Sequence, residues 1–302
     1  PAPMAAAAAA MTALPVEMVE VRPGRELAVH SRIRPEASYT LIFVHGSAAS
    51  MLQWRDQIDH FSATHSVVAF DTYGCGRSPK PESWGAYSFH ELAADLAAIL
   101  IRFACPGTHL VVVAHSAGCS LAISAAAAGL ANTKGPKVGG LCLLGGYVDA
   151  PTPHPVFYLP VTVLRLIQPI LSSGFEALAL HPETRAGKTE AHRALLALAA
   201  EVNGSNSMYM CKAYYRQLSA PSPHEVAKVG SFVPSLVLCG AGDALIPPEK
   251  SRALAELLAS ASNTARTAPA IHQVPSTSHQ LMQEDPPVVN KLIDGFLVSL
   301  SG

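Results

Sequence analysis

Ser116 lies in Ala114-His115-Ser116-Ala117-Gly118, a small-x-Ser-x-Gly pattern. A serine hydroxyl is a weak nucleophile at neutral pH. It needs a base to take its proton, an acid to orient that base, and N–H donors for the oxyanion that forms. His279, in Ser276-Thr277-Ser278-His279, is the candidate base and the last histidine of the chain. Asp243, at the end of Gly240-Ala241-Gly242-Asp243, is the candidate acid. Asp71 and Asp149 compete with it. Asp71 sits in Asp71-Thr72-Tyr73-Gly74-Cys75-Gly76-Arg77-Ser78, where bracing a loop with Arg77 is the simpler role, and Asp149 is the fallback. The oxyanion donors are expected to be the amides of Ala117 and of Ser47, which follows His45-Gly46. His45, Gly46, His115 and Tyr147 are the expected substrate-binding residues. His115 is also expected to pack behind the turn, because neighbouring side chains there point apart. No H-x-x-x-H or H-E-x-x-H spacing supports a metal, and no cofactor is expected.

These groups need elements that bring them together. Residues 110–114 form an unbroken apolar run, as a strand buried on both faces does, and the alanine-rich segment after Gly118 reads as a helix. Small residues flank Ser116 because a strand entering a helix in so tight a turn leaves no room beside the serine. Further strands are predicted at 17–21, 26–33, 39–44, 66–70, 138–144, 235–239 and 270–274, the first two as a hairpin. Helices are predicted at 54–61, 90–103, 248–258 and 286–300, with Glu91 and Asp95 on the outer face of 90–103. Strands alternating with helices imply an eight-stranded, mostly parallel sheet flanked by helices, with catalytic groups at the carboxyl ends of strands.

The rhythm breaks at residues 150–230. Five prolines fall between Pro151 and Pro169, an apolar stretch covers 156–171, and helical segments follow near 177–180 and 194–200. This reads as a helical cap inserted between two parts of the core, 15–149 and 231–302. Residues 1–14, with a run of six alanines, read as a low-complexity leader outside the fold.

Composition bounds the alternatives. A chain of 302 residues, 49% hydrophobic and 14% charged, fits one α/β core with an insertion. A net charge of −1 excludes nucleic-acid binding driven by phosphate contacts. The six cysteines form no C-x-x-C pair and read as small buried hydrophobes of a reducing compartment, so a cytoplasmic or other intracellular location is expected.

The joint pattern is strand-His-Gly, strand-Asp-x-x-Gly-x-Gly-x-Ser, strand-small-x-Ser-x-Gly-helix, strand-Gly-x-Gly-Asp and then His. Over roughly residues 17–300 it resembles the α/β-hydrolase-fold serine hydrolases. Trp54 and Gln57, Tyr87-Ser88-Phe89, Leu159-Pro160-Val161 and Leu166-Ile167-Gln168-Pro169 are similar to the cap-bearing α/β hydrolase domain-containing proteins, in the branch around domain-containing protein 8. The resemblance implies Ser116 as nucleophile, Asp243 as acid, His279 as base, and Ser47 and Ala117 as oxyanion donors. Two departures stand out. Ala114 replaces the usual first glycine, which is sterically harmless. His279 is followed by Glu284 and Asp285 rather than by the H-x-x-x-x-D of acyltransferase-like relatives, which argues against acyl transfer.

Relatives with aspartate at the turn open epoxides or halides, so serine implies esters, thioesters, amides or C–C bonds. The expected activity is hydrolysis of a small-molecule or lipid-like carboxylic ester. The alternatives are a thioesterase or C–C bond hydrolase with the same triad, and a non-catalytic binding or scaffold protein. The cap's surplus of apolar residues, among them Phe157, Tyr158, Leu159, Val163 and Leu166, either touches a membrane surface or packs the cap onto the core.

Overall fold

The strands at the centre of the chain carry the heaviest apolar load, and they lie at the centre of the sheet. In the computed structural model, which describes residues 14–132, 135–262 and 267–301, eight strands form one sheet. They are β1 (Glu17–Arg22), β2 (Arg25–Arg32), β3 (Tyr39–Val44), β4 (Ser66–Phe70), β5 (His109–His115), β6 (Val138–Leu144), β7 (Ser235–Gly240) and β8 (Ala270–Val274). Their order is β1-β2-β4-β3-β5-β6-β7-β8. β2 runs antiparallel to β1 and β4, and every other pairing is parallel. The predicted eight-stranded, mostly parallel sheet is therefore observed.

Register does the positioning. Val44 pairs with Ala114, Ala114 with Leu143, and Leu144 with Leu238. The chain thus leaves β3, β5, β6 and β7 along one edge, bringing His45, Ser116, Gly145 and the loop to Asp243 side by side. This is the edge where open α/β sheets place their ligands.

Side chains alternate between two cores, with the period of two that a pleated strand imposes. Along β5, Leu110, Val112 and Ala114 face one core, while Val111 and Val113 face the other. The first core is covered by helices Phe89–Phe103 and Ala117–Ala131, the second by Arg55–Phe61 and Pro286–Leu300. All six cysteines are free, and all but Cys105 are buried.

Two sequence expectations are corrected here. Asp95 was placed on the outer face of its helix, yet it is only 2% exposed. Arg22 Nε donates to Asp95 Oδ1 at 2.8 Å, and Arg25 reaches the same carboxylate while its guanidinium lies 3.7 Å over the Tyr73 ring. The β1–β2 hairpin supplies both arginines, so this buried charge is paired. The cap also ends earlier than residue 230. Its helices are Val161–Ala179, Pro182–Arg185, Glu190–Ser205 and Met208–Arg216. The next helix, Pro223–Phe232, packs on the core against Ala117–Ala131 and Pro248–Ser260. Its Gly230 lies so close that an added Cβ would stand 2.4 Å from Leu258 O.

Residues 1–13 of the expected leader lie outside the described residues. Among the described residues, no helix is long and apolar enough to cross a membrane.

Candidate active site

Ser116 stands between β5 and helix Ala117–Ala131 with φ 53° and ψ −124°. A non-glycine residue in such a region costs about 1–3 kcal/mol and persists only where its surroundings enforce it. Ser116 N donates to Leu144 O at 2.8 Å, and Cys119 N donates to Ser116 O at 2.9 Å. Gly118 permits the close approach beneath them, since a Cβ there would lie 2.7 Å from His45 O. The helix behind Ser116 is buried from Ala117 to Ala127, so its small apolar residues match a site walled on all sides.

His279 Nδ1 donates to Asp243 Oδ2 at 2.8 Å, with both side chains buried. The other oxygen, Oδ1, accepts from Leu245 N at 3.0 Å and Ile246 N at 2.8 Å. The carboxylate is thereby locked in orientation, and His279 Nε2 is left as the free ring nitrogen. Two glycines make the approach possible. A Cβ on Gly145, at φ +59°, would lie 3.2 Å from His279 Cε1, and one on Gly240 would lie 2.0 Å from Ser278 O. Glu284 holds the same loop to the cap: Oε2 accepts from Ser278 N and Oε1 from His181 N, each at 2.6 Å.

The loop after β3 carries Gly46, Ser47 and Ala48, the last at φ 51°. Among the described residues, the N–H groups of Ser47 and Ala117 are assigned no protein acceptor. The loop is clamped from both ends. Met51 N donates to Asp71 Oδ1 at 2.7 Å, and the cap residue Asn206 donates through Nδ2 to Ala48 O at 2.6 Å.

Ser116 lies where two cavities meet, and it is 6% exposed. A cavity of about 420 Å³ runs under the cap past Ala117, Tyr147, Phe157, Met208 and Leu218. A small one of about 50 Å³ lies on the His279 side, against Gln53, Glu176, Asn203 and Gln280. Neither lining includes an arginine or a lysine.

Residues 41–292 match the Alpha/beta hydrolase family. The chain belongs to that family. Protein ABHD8 of Homo sapiens and of Mus musculus is each 30% identical to it over 268 residues, which is 87% of this chain. The chain spans about half the length of these curated relatives, 56% of each. Among solved structures, a thermophilic esterase from Thermogutta terrifontis superposes with a TM-score of 0.71 at 17% identity, covering 94% of this chain and 97% of that one. The enol-lactonase from Burkholderia xenovorans LB400 gives a TM-score of 0.72 at 18% identity, covering 90% and 97%. Both share the fold.

Within this alpha/beta hydrolase, the competing acids are engaged elsewhere. Asp71 accepts from Met51 N and Arg77 N, bracing two loops through backbone donors rather than through the Arg77 guanidinium. Asp149 has its side chain 83% exposed, with Lys250 Nζ 3.8 Å away. Gly46 lines the small cavity and Tyr147 the large one. His45 does not face them, which corrects its expected place among substrate-binding residues. Its Nδ1 donates to Gly46 O at 2.7 Å and its Nε2 accepts from Thr72 N at 2.9 Å, so both nitrogens hold the backbone. His115 lines the small cavity but spends Nε2 on His279 O at 2.9 Å. It braces the loop of the neighbouring histidine.

Burial holds His45 below the ordinary histidine range, and His115 well below it with a further push from the His279 ring. Both are therefore neutral in the fold, whereas the unfolded chain protonates them near pH ~6.5. Below that pH the unfolded state binds more protons. Stability should fall as pH drops from 7.5 to 5.5, by up to about 1.4 kcal/mol per pH unit for each ring. Urea unfolding at the two pH values measures the slope, and His115→Gln, which keeps a donor near Nε2, should flatten it.

Gly145, Gln53, Asn206 and Glu284 were missed as site residues in the sequence. A glycine pair at the end of β6, Gly145-Gly146, was the one local signal available. Asn206 and Glu284 are polar residues in unremarkable surroundings that only their long-range partners mark, and Gln53 is marked only by its place on the wall of the small cavity.

Proposed function

We propose that this chain is a serine hydrolase that cleaves carboxylic esters with an apolar acyl group. The supporting observation is the buried His279–Asp243 pair at 2.8 Å, opening on a cavity that also holds Ser116. Asp243 fixes the tautomer in which His279 Nε2 carries a lone pair. That nitrogen takes the Ser116 proton as Oγ attacks the ester carbonyl carbon. The carbonyl oxygen becomes an oxyanion, which the Ser47 and Ala117 amides stabilise. Each such donor is worth about 10²–10³ in rate. When the tetrahedral adduct collapses, the bond to the alcohol oxygen breaks and His279 returns the proton to it. Water, deprotonated by the same nitrogen, then attacks the acyl-serine; the acyl carbon–Oγ bond breaks, His279 returns the proton to Ser116 Oγ, and the acid leaves.

The uncharged wall of the large cavity supports a neutral ester over thioesters with anionic carriers or substrates with free carboxylates. The test is labelling with a fluorophosphonate, which phosphonylates an activated serine. Wild type should be labelled on Ser116 and Ser116→Ala should not. An unlabelled wild type would overturn the hydrolase reading in favour of a binding protein on this fold.

The cap is proposed to rest on a lipid surface. On helix Val161–Ala179, Val163, Leu166 and Ile170 follow helical spacing into one outward stripe, with Leu166 81% and Ile170 73% exposed, and Leu159 is exposed just before it. Ile170 also borders the large cavity, so the stripe leads to its mouth. Wild type should float with phosphatidylcholine vesicles, and a Leu166→Ser/Ile170→Ser double variant should stay in the dense fraction. A wild type that does not float removes the membrane contact.

A further inference from the structure

The apolar stripe of helix Val161–Ala179 begins beside a cluster of aromatic and basic side chains that the Ser116 chemistry does not use. Tyr158 and Leu159, just before the helix, are exposed, and so is Trp84 on the core turn Trp84–Tyr87. Arg216 closes the cap helix Met208–Arg216 and joins the two segments. Its guanidinium carbon lies 4.4 Å from the Tyr158 ring centroid and 5.1 Å from that of Trp84. One turn earlier on the same helix, Lys212 Nζ donates to Leu159 O at 2.7 Å. Gln217 Nε2 donates to Trp84 O at 2.9 Å, which ties the core turn to the end of that helix.

The charges here are unbalanced. Arg165, one position before Leu166, has a partner, since its Nη2 lies 2.8 Å from Glu82 Oε1. Among the described residues, no carboxylate pairs with Lys212 or Arg216. Two uncompensated cations therefore stand at the Tyr158–Leu159 end of the stripe. At a lipid boundary Trp and Tyr rings settle at headgroup level, while Lys and Arg lay their stems along apolar surface and put the charge among the headgroups. An apolar stripe attracts any bilayer alike. An uncompensated cation discriminates, by a factor of roughly five for each Lys or Arg near an anionic surface. Ile170 of the stripe also borders the large cavity, so the occupant of this face must be able to deliver an apolar ester into it. A bilayer can do so, and an acidic protein surface cannot.

We infer that this face of the cap docks on anionic phospholipid bilayers, with Leu166 and Ile170 among the acyl chains, Trp84 and Tyr158 at the boundary, and Lys212 and Arg216 against anionic headgroup oxygens. The inference rests on the lipid contact proposed above and adds the charge of the surface it meets. Lys212, Arg216 and Trp84 line neither cavity at Ser116, so each can be changed without touching bond cleavage.

The experiment titrates the full chain with vesicles of phosphatidylcholine alone and of phosphatidylcholine mixed with phosphatidylserine. Wild type should bind the mixed vesicles roughly tenfold more tightly. The gain should vanish as salt rises from about 0.1 M to about 1 M, where the screening length falls from ~10 Å to ~3 Å. Lys212→Gln/Arg216→Gln should bind phosphatidylcholine as wild type does, lose most of the gain, and keep its thermal unfolding midpoint. A second readout is intrinsic fluorescence. The chain has two tryptophans and Trp54 is wholly buried in the core, so quenching by brominated phospholipid reports Trp84. Wild type on mixed vesicles should be quenched, and Trp84→Phe should not. A wild type that binds both vesicles alike overturns the headgroup preference and leaves the lipid contact standing. One that binds neither overturns both. A gain that survives the double variant, or binding without quenching, puts the charged contact on another face and overturns this one.

Discussion

Replacing Ser116 or His279 by alanine is expected to lower kcat on p-nitrophenyl butyrate by about 10⁵–10⁶-fold, with the double variant no worse than either single one. The residues act as a unit. Without Ser116 Oγ there is no acyl-enzyme, and without His279 Nε2 the hydroxyl keeps its proton, so the second loss removes nothing that remained. A residual rate of about 10³–10⁴ over water should persist in each, since the oxyanion amides and both cavities are untouched. Folding should be unaffected in Ser116→Ala, because alanine carries the same Cβ at φ 53° and the backbone bonds from Ser116 N and to Ser116 O remain. Circular dichroism and active-site titration alongside the kinetics would separate lost chemistry from lost protein. More than about a hundredth of wild-type activity in Ser116→Ala would place the nucleophile elsewhere.

Asp243→Asn should lower kcat by about 10⁴-fold near pH 7, and the geometry gives the reason. Leu245 N and Ile246 N both donate to Oδ1, so the asparagine carbonyl oxygen must take that position. Its NH₂ then faces His279 Nδ1, where the aspartate offered an acceptor. Two donors cannot share that contact. The imidazole shifts its proton to Nε2 and loses the lone pair that would accept from Ser116. Asp149→Asn removes only an exposed partner of Lys250 and should leave kcat within about twofold, as surface ion pairs contribute little. If instead the Asp149 change were the damaging one, the acid would have been assigned to the wrong strand end. Steady-state kinetics of the two variants side by side decide this.

How much of this was legible beforehand differs by kind of interaction. The strands were readable because a central parallel strand is buried on both faces, so β3, β4 and β5 are continuous apolar runs of β-branched residues. The turn at Ser116 was readable because its constraint is local: a left-handed φ at the serine and a close backbone approach at Gly118 require small residues within two positions. Asp243 and His279 were readable only as candidates at strand ends. Their meeting depends on β7 pairing with β8, Gly240 against Val274, which no spacing within either segment encodes.

The side on which a polar residue falls was less legible. Asp95 fits an outer face by helical spacing, and two arginines from a hairpin some 70 residues earlier draw it inward. Helix Pro223–Phe232 follows the cap without an intervening strand, so its place on the core shows only where Gly230 meets Leu258. His45 looks like a site residue by its neighbours, but its two ring nitrogens bond to Gly46 and Thr72.

By itself the sequence determined the sheet, the serine turn and the short set of strand-end residues able to serve it, because those follow from apolar periodicity and steric limits acting over a few residues. The tertiary structure alone decided which carboxylate reaches His279, that Glu284 and Asn206 tie the cap to the loops around Ser116, and that a large cavity and a small one, both mostly apolar, meet at the serine. Those features consist of contacts between residues tens to hundreds of positions apart, and such contacts exist only once the chain has folded.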